Sequence, residues 1–231
     1  MKLLRSFLDL LFPPVCFSCS NRLNNSENFL CSGCENELCW LENICPVCGN
    51  KLEDNNCNFC SSNTWYFDMT FSLFAFNKVV QNLIHDLKYN DMVRVADLFY
   101  TYYKKYIEKN ELFNSVDFVT PVPIHRVRRR SRGYNQAELL SGRIAEILDV
   151  THLPELLKRK RYTATQTKLN REDRNKNVAS AFYLNQKTDL TDKTILLVDD
   201  VFTTGSTVNS ISKLLKENSC GKIFILTLSH A

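Results

Sequence analysis

From Trp65 onward, apolar and polar positions follow two different periods. Residues 70–76 (TFSLFAF) alternate and are aromatic, as in a strand. Residues 78–88 place Val79, Val80, Leu83, Ile84 and Leu87 on one helical face, and residues 92–107 repeat the pattern with Val95, Leu98, Phe99, Tyr102 and Ile107. A short apolar strand ended by proline follows at 117–123 (DFVTPVP), then an amphipathic helix at 137–148 (AELLSGRIAEIL). Residues 155–178 are basic and polar and read as a loop or mobile arm. The apolar runs within 194–198 (TILLV) and 222–228 (KIFILTL) read as strands buried on both faces, with Val208, Ile211, Leu214 and Leu215 marking a helix between them. Strands alternating with helices predict an α/β fold with a mostly parallel sheet.

Residues 13–62 have another texture, rich in Cys, Pro, Asn and Ser and without long apolar periodicity. Nine of the ten cysteines precede residue 61, and eight of them pair as Cys16-x-x-Cys19, Cys31-x-x-Cys34, Cys45-x-x-Cys48 and Cys57-x-x-Cys60. A CxxC turn points two thiolates at one ion, and two turns complete a four-thiolate tetrahedral site, so eight ligands suit two structural zinc ions. Sequential ribbons (Cys16, Cys19, Cys31, Cys34, then Cys45, Cys48, Cys57, Cys60) are preferred, with a cross-braced pairing still open. Cys39 falls outside the pattern and reads as a buried thiol, and Cys220 as structural. The chain is expected to divide into residues 1–62, an N-terminal helix with the cysteine module, and residues 63–231.

Charge sharpens the picture. Residues 1–65 hold four Lys/Arg against seven Asp/Glu, whereas residues 121–178 hold fourteen against six. Five arginines (126, 128, 129, 130 and 132) lie within seven residues. An anionic partner is therefore expected at that segment, and the acidic cysteine module argues against direct contact with a DNA backbone. No apolar run approaches the ~20 residues needed to span a bilayer. The apolar start (residues 3–12) is interrupted by Arg5 and Asp9 and reads as a docked helix, not a signal peptide. The expected location is the cytoplasm, with the inner face of the membrane as an alternative.

The sharpest motif is Val198-Asp199-Asp200-Val201-Phe202-Thr203-Thr204-Gly205-Ser206-Thr207. A buried strand ends in two carboxylates, a hydroxyl-rich loop follows, and a helix begins. Unpaired N–H groups at a helix start favour an anion. Thr203, Thr204, Ser206 and Thr207 can donate to phosphate oxygens, and Gly205 lets the backbone come close. Asp199 and Asp200 suit a ribose diol, or a magnesium ion held partly through its waters. The pattern is neither a Walker loop nor a dinucleotide fingerprint.

This motif resembles the phosphoribosyl pyrophosphate signature of type I phosphoribosyltransferases. Two further segments resemble the ComF family, competence-associated phosphoribosyltransferase-like proteins. One is Arg130-Ser131-Arg132-Gly133-Tyr134-Asn135-Gln136 after Pro121-Val122-Pro123; the other is Gln166-Thr167-Lys168-Leu169-Asn170-Arg171 with Arg174, Asn177-Val178 and Ala181-Phe182. The cysteine module resembles that family's double zinc ribbon, with Ser20 standing where the first knuckle often carries glycine.

The resemblance implies a type I phosphoribosyltransferase-like parallel sheet flanked by helices. It places the ribose 5-phosphate at Thr203–Thr207, with Asp199 and Asp200 facing the ribose hydroxyls as the catalytic pair. A pyrophosphate loop maps near Pro123–Arg132, with Arg126, Arg130 and Arg132 as anion ligands. A mobile arm from Lys158 to Lys176 would carry Arg161, Gln166, Arg171 and Arg174. Asn135 can cap the helix after it, with Glu138 completing a capping-box-like pattern. His85 reads as a packing or capping residue and His125 as a candidate phosphate contact. Two classes remain. One is a magnesium-dependent phosphoribosyltransferase with an unreadable acceptor. The other is a non-catalytic nucleotide or single-stranded DNA module of DNA uptake, with Tyr134 and Tyr162 available to stack bases. A third reading makes the ribbon an adaptor for a helicase or channel partner.

Overall fold

The two apolar runs near the C-terminus lie side by side at the centre of a five-stranded sheet. A computed structural model describes residues 13–24, 26–89, 92–160, 181–185 and 188–231. Its elements are two short helices, α1 (Ser32–Asn36) and α2 (Asn58–Ser61), then β1 (Met69–Ala75), α3 (Lys78–Tyr89), α4 (Met92–Ile107), β2 (Phe118–Pro121), α5 (Arg126–Arg132), α6 (Gln136–Leu148), β3 (Thr151–His152), β4 (Leu157–Arg159), β5 (Phe182–Leu184), β6 (Thr194–Phe202), α7 (Ser206–Lys216) and β7 (Lys222–His230). The sheet order is β1-β7-β6-β2-β3, and every pairing in it is parallel. All five C-terminal strand ends therefore open on one edge, where ligands of open α/β sheets bind.

Each face of the sheet carries its own core. Val79, Val80, Leu83, Ile84 and Leu87 of α3, the five positions the helical period selects, are all buried. They join Phe99 and Tyr103 of α4, Leu140 and Ile144 of α6, and Leu196 and Val198 of β6. On the opposite face Ile195, Leu197, Ile223 and Ile225 pack against Val208, Ile211 and Leu215 of α7 and against Leu157 and Phe182. Central strands buried on both sides explain their uninterrupted apolar sequence.

Three expectations need correction. The acid pair does not end β6, which runs on to Phe202 with Asp199 opposite Thr227 and Phe202 opposite His230. The arginine run is not a loop but helix α5. His125 caps it, Nδ1 accepting from the N–H of Val127, and Gly133 ends it at φ +83. Residues 157–159 are not loop either: β4 pairs antiparallel with β5, so the start of the expected arm is held to a strand that lies beyond its end.

The cysteine module is built into the same body. Cys16, Leu23, Leu30, Cys34 and Leu38 belong to the apolar cluster of α3 and α4. Asn82 donates to the Ser18 carbonyl (2.8 Å), Asn77 to the Glu37 carbonyl (2.6 Å), and Tyr102 to Glu35 (3.4 Å). Residues 39–41 also close the outer edge of β1: Ala75 N–H donates to the Cys39 carbonyl, and Leu41 N–H to that of Leu73. Covering an edge this way removes its open hydrogen-bonding groups. Cys39 is exposed here, contrary to expectation.

Candidate functional site

The cysteines gather as Cys16, Cys19, Cys31, Cys34 and as Cys45, Cys48, Cys57, Cys60, with the ligand atoms of each group within 4.8 Å of one another. This is the sequential pairing. Tetrahedral zinc with Zn–S bonds of ~2.3 Å sets sulfurs about 3.8 Å apart. The separations Cys19–Cys31 and Cys45–Cys60 are both 3.7 Å, and Cys48–Cys57 is 3.3 Å. Both groups thus fit structural zinc, and four thiolates leave no open coordination position.

The first knuckle keeps its geometry without glycine. Ser20 lies at φ +61 and Gly49 at φ +74, each donating its N–H to the carbonyl of the first cysteine of its turn, Cys16 (2.9 Å) and Cys45 (2.8 Å). A side chain in the left-handed region costs about 1 kcal/mol. Ser20→Gly is therefore expected to raise stability by about 1 kcal/mol at unchanged zinc content, read from the urea midpoint.

At the C-terminal edge of the sheet, β6 brings the acid pair against groups from four other elements. Asp200 Oδ2 lies 2.7 Å from Lys88 Nζ at the end of α3 and accepts from Gln136 Nε2 of α6 at 3.4 Å. Asp199 Oδ1 accepts the N–H of Asp200 (2.9 Å). Burial and the Asp200 carboxylate push the Asp199 acid up to about 8, with Lys88 and Arg159 opposing. Tyr103 of α4 is wholly buried behind the pair, its hydroxyl without a hydrogen-bond partner. Burial and both carboxylates hold its pKa well above the usual tyrosine range. Removing the Lys88 cation lets Asp199 hold its proton still more tightly. In Lys88→Met the Asp199 titration is expected to move up by about one unit, followed by carboxyl NMR.

The expected phosphate loop follows. Thr203 and Thr204 are exposed, Gly205 is buried at φ +70, and Ser206 and Thr207 form the first turn of α7. Thr204 Oγ1 lies 3.0 Å from Ser206 Oγ. Hydroxyl groups and the first N–H groups of an eleven-residue helix thus gather in the turn that directly follows the strand carrying the acid pair.

The arginines separate into roles that spacing does not show. Arg129 pairs with Glu138 (3.3 Å) and Glu155 (3.8 Å), holding α5 to α6 and the β3–β4 turn. Arg132 donates to the Tyr89 hydroxyl (3.1 Å) and lies 5.1 Å over its ring. Arg126 and Arg130 are exposed on α5. Arg159, on β4 over the Phe182 ring (5.3 Å), is held below the usual guanidinium range by burial and the Arg128 charge, while Asp199 opposes. Arg128, Arg159 and Asp199 are thus near enough to feel one another's charge, with two cations to one carboxylate.

The Arg-Gly-Tyr-Asn-Gln segment is spent on construction. Tyr134 donates to the Leu87 carbonyl, and Asn135 caps α6, accepting from Ala137 N–H (3.2 Å) and donating to the Val122 carbonyl (3.0 Å). Tyr134 is therefore no free stacking ring; the exposed ring nearby is Tyr89. His85 is also exposed, against Tyr89 at 4.9 Å, and does not pack in the core. Lys88, Tyr103 and Arg159 carry no motif and meet the acid pair only through the fold. Arg161, Gln166, Arg171, Arg174, Tyr162 and residues 3–12 lie outside the described residues.

A double zinc ribbon family model matches residues 7–62, and a phosphoribosyl transferase domain model residues 135–229. Competence protein F of Haemophilus influenzae is 32% identical, the match covering 94% of this chain and 96% of that protein. The chain belongs to the ComF family. ComF-type relatives include DNA utilization protein YhgH of Salmonella typhimurium (27% identical, 95% of this chain and 98% of the relative) and competence protein ComFC of Streptococcus pneumoniae (27%, 87% of each). The ComF-family chain also overlays loosely on a hypoxanthine phosphoribosyltransferase of Staphylococcus aureus (TM-score 0.40, 13% identity, 58% of this chain and 64% of that one). No helix among the described residues is long and apolar enough to cross a membrane.

Proposed function

We propose that the edge of the sheet at β6 and α7 binds phosphoribosyl pyrophosphate and that the protein transfers its phosphoribosyl group to an acceptor. The observation that carries this reading is the convergence, at one strand end, of two carboxylates, a hydroxyl-lined helix N-terminus and the Arg128–Arg159 pair. Ser206, Thr207 and the first N–H groups of α7 hold the 5-phosphate, joined by Thr203 and Thr204. Asp199 and Asp200 accept from the ribose 2- and 3-hydroxyls. Arg128 and Arg159 balance the pyrophosphate as its bond to C1 breaks and the acceptor's bond to C1 forms, with Arg126, Arg130 and Arg132 further along α5. Magnesium would fit here as a companion of the pyrophosphate: Asp200 is already paired with Lys88, so Asp199 and Asp200 would hold such an ion through water. When bound it adds neutralising charge to the leaving group.

Calorimetric titration of the zinc-loaded chain with phosphoribosyl pyrophosphate, with and without magnesium, tests the site. Saturable binding that Asp199→Asn/Asp200→Asn loses supports it. A folded wild type that ignores the ligand sinks it.

Exposed Arg126 and Arg130 and the names of the DNA utilization relatives favour a second reading, a module that tracks single-stranded DNA beside an uptake helicase or channel at the inner membrane face. It requires oligonucleotide binding that falls steeply with salt.

A further inference from the structure

The loop that borders the acid pair is tied to the second four-cysteine group along two routes that meet at Gly205. The first is a hydrogen-bonded clamp. Asn209, one turn into α7, accepts the N–H of Tyr66 through Oδ1 (2.8 Å) and donates through Nδ2 to the Thr64 carbonyl (2.9 Å). Its backbone N–H donates to the carbonyl of Gly205 (2.8 Å). The chain just after Cys60 is thereby fastened to the helix that presents Ser206 and Thr207.

The second route is packing. Trp65, between the two clamped residues, lies against Gly205: a Cβ there would sit 3.0 Å from Trp65 Cζ3 and 2.7 Å from Phe202 Cζ. The indole N–H is buried without a hydrogen-bond partner, so shape alone seats the ring. Trp65 contacts Phe59 at 5.5 Å, and Phe59 stands between Cys57 and Cys60. On its other side Trp65 contacts Phe67 at 5.0 Å, and Phe67 meets Phe202 edge-on at 6.1 Å. Phe202 stacks on His230 at 5.0 Å, and His230 Nε2 lies 3.1 Å from the carbonyl oxygen of Cys48. The His230 ring also fills the space over Gly49, 2.9 Å from where a Cβ would stand. The aromatic path thus leaves one knuckle of the group and returns to the other, with the Gly205 turn packed against its middle. A close-packed path of this kind transmits displacement rather than absorbing it.

We infer that the second zinc ribbon is a positioning element of the ribose phosphate site: the metal held by Cys45, Cys48, Cys57 and Cys60 fixes the Gly205 turn through Phe59, Trp65 and the Asn209 clamp, so that losing this metal releases the turn and switches ligand binding off. The ligand half rests on the site reading above. The first four-cysteine group packs on α3 and α4 and, among the described residues, shows no such path, so the two groups are given different jobs. Thiol oxidation or metal withdrawal at the second group would act on the site with no contact to the ligand.

The test uses the full zinc-loaded chain and two readouts, amide hydrogen exchange at residues 203–206 and calorimetric binding of phosphoribosyl pyrophosphate with magnesium. Cys57→Ser/Cys60→Ser removes the metal. Asn209→Ala and Phe59→Leu leave every ligand in place and guard against simple unfolding. Both of the latter variants should keep two zinc ions per chain and the wild-type melting profile. Both should exchange at 203–206 at least tenfold faster and bind the ligand at least tenfold more weakly. Wild-type exchange and affinity in both variants would overturn the coupling. If the wild type itself does not bind, the site reading fails separately, and the exchange rates alone decide the coupling.

Discussion

Asp199→Asn is expected to melt well above the wild type at pH 9, by roughly 5 °C or more, while losing the phosphoribosyl ligand. Burial first, and the Asp200 carboxylate second, raise the Asp199 acid from an ordinary 3.8 to about 8. The folded state therefore holds this proton more tightly than the unfolded chain. The associated stability is complete below the unfolded value and is lost as pH rises through about 8. Each unit of difference corresponds to ~1.4 kcal/mol, and relief from Lys88 and relaxation leave on the order of 2–3 kcal/mol at pH 9. Amide in place of carboxylate removes that cost. The gap in melting temperature between variant and wild type should open between about pH 4 and pH 8 and level off above that; a gap that ignores pH would mean Asp199 titrates as an ordinary carboxylate. Binding should follow the same proton. A ligand that needs the ionised pair competes with it, so wild-type affinity should climb about tenfold per unit from pH 6 towards 8. Stability set aside to keep a functional carboxylate in a poor solvent is common at sites of this kind.

Cys16→Ser/Cys34→Ser is expected to lose one of two zinc ions and to lower the melting of the whole chain, in a single transition, by more than 10 °C. These two sulfurs are 1% and 8% exposed and sit in the same apolar cluster as Phe74, Leu83 and Phe99. Structural zinc contributes on the order of 10 kcal/mol to a small ribbon, comparable with the entire stability of a typical domain. Removing it strips the cover from α3 and α4 and frees the carbonyls that Asn77 and Asn82 hold. Zinc counted by atomic absorption and melts followed at both far- and near-ultraviolet wavelengths provide the check. A small early transition followed by an unchanged main one would instead mean that residues 13–62 fold as a unit of their own.

Local order was legible before any coordinates. The apolar positions of α3 and α4 are those that the helical period selects, and the uninterrupted runs of β6 and β7 are the central strands. The same holds for the CxxC pairs, whose spacing prescribes a metal turn, and for Asn135, whose side chain caps α6. Ser20 shows the limit of residue-by-residue reading, since metal and turn hold a non-glycine residue in the left-handed region.

What periodicity does not contain is which distant residues meet. Alternation and helical period report the buried side of one element, because burial is decided by the element's own repeat. Lys88, Gln136 and Arg159 reach the acid pair because α3 and β4 end, and α6 begins, beside the C-terminal part of β6, and that depends on strand order and crossovers. The same topology turned an arginine run into a helix with one member, Arg129, spent on ion pairs. It also folded the start of a presumed loop into a ribbon with residues 182–184. By itself, then, the amino-acid sequence determined the helices α3, α4 and α6, the central strands and the two sets of four cysteines, all set by patterns within a short stretch of chain. The tertiary structure decided which charges face the acid pair and that the second ribbon lies against Gly205, since those contacts join residues far apart in the chain and exist only once the sheet is assembled.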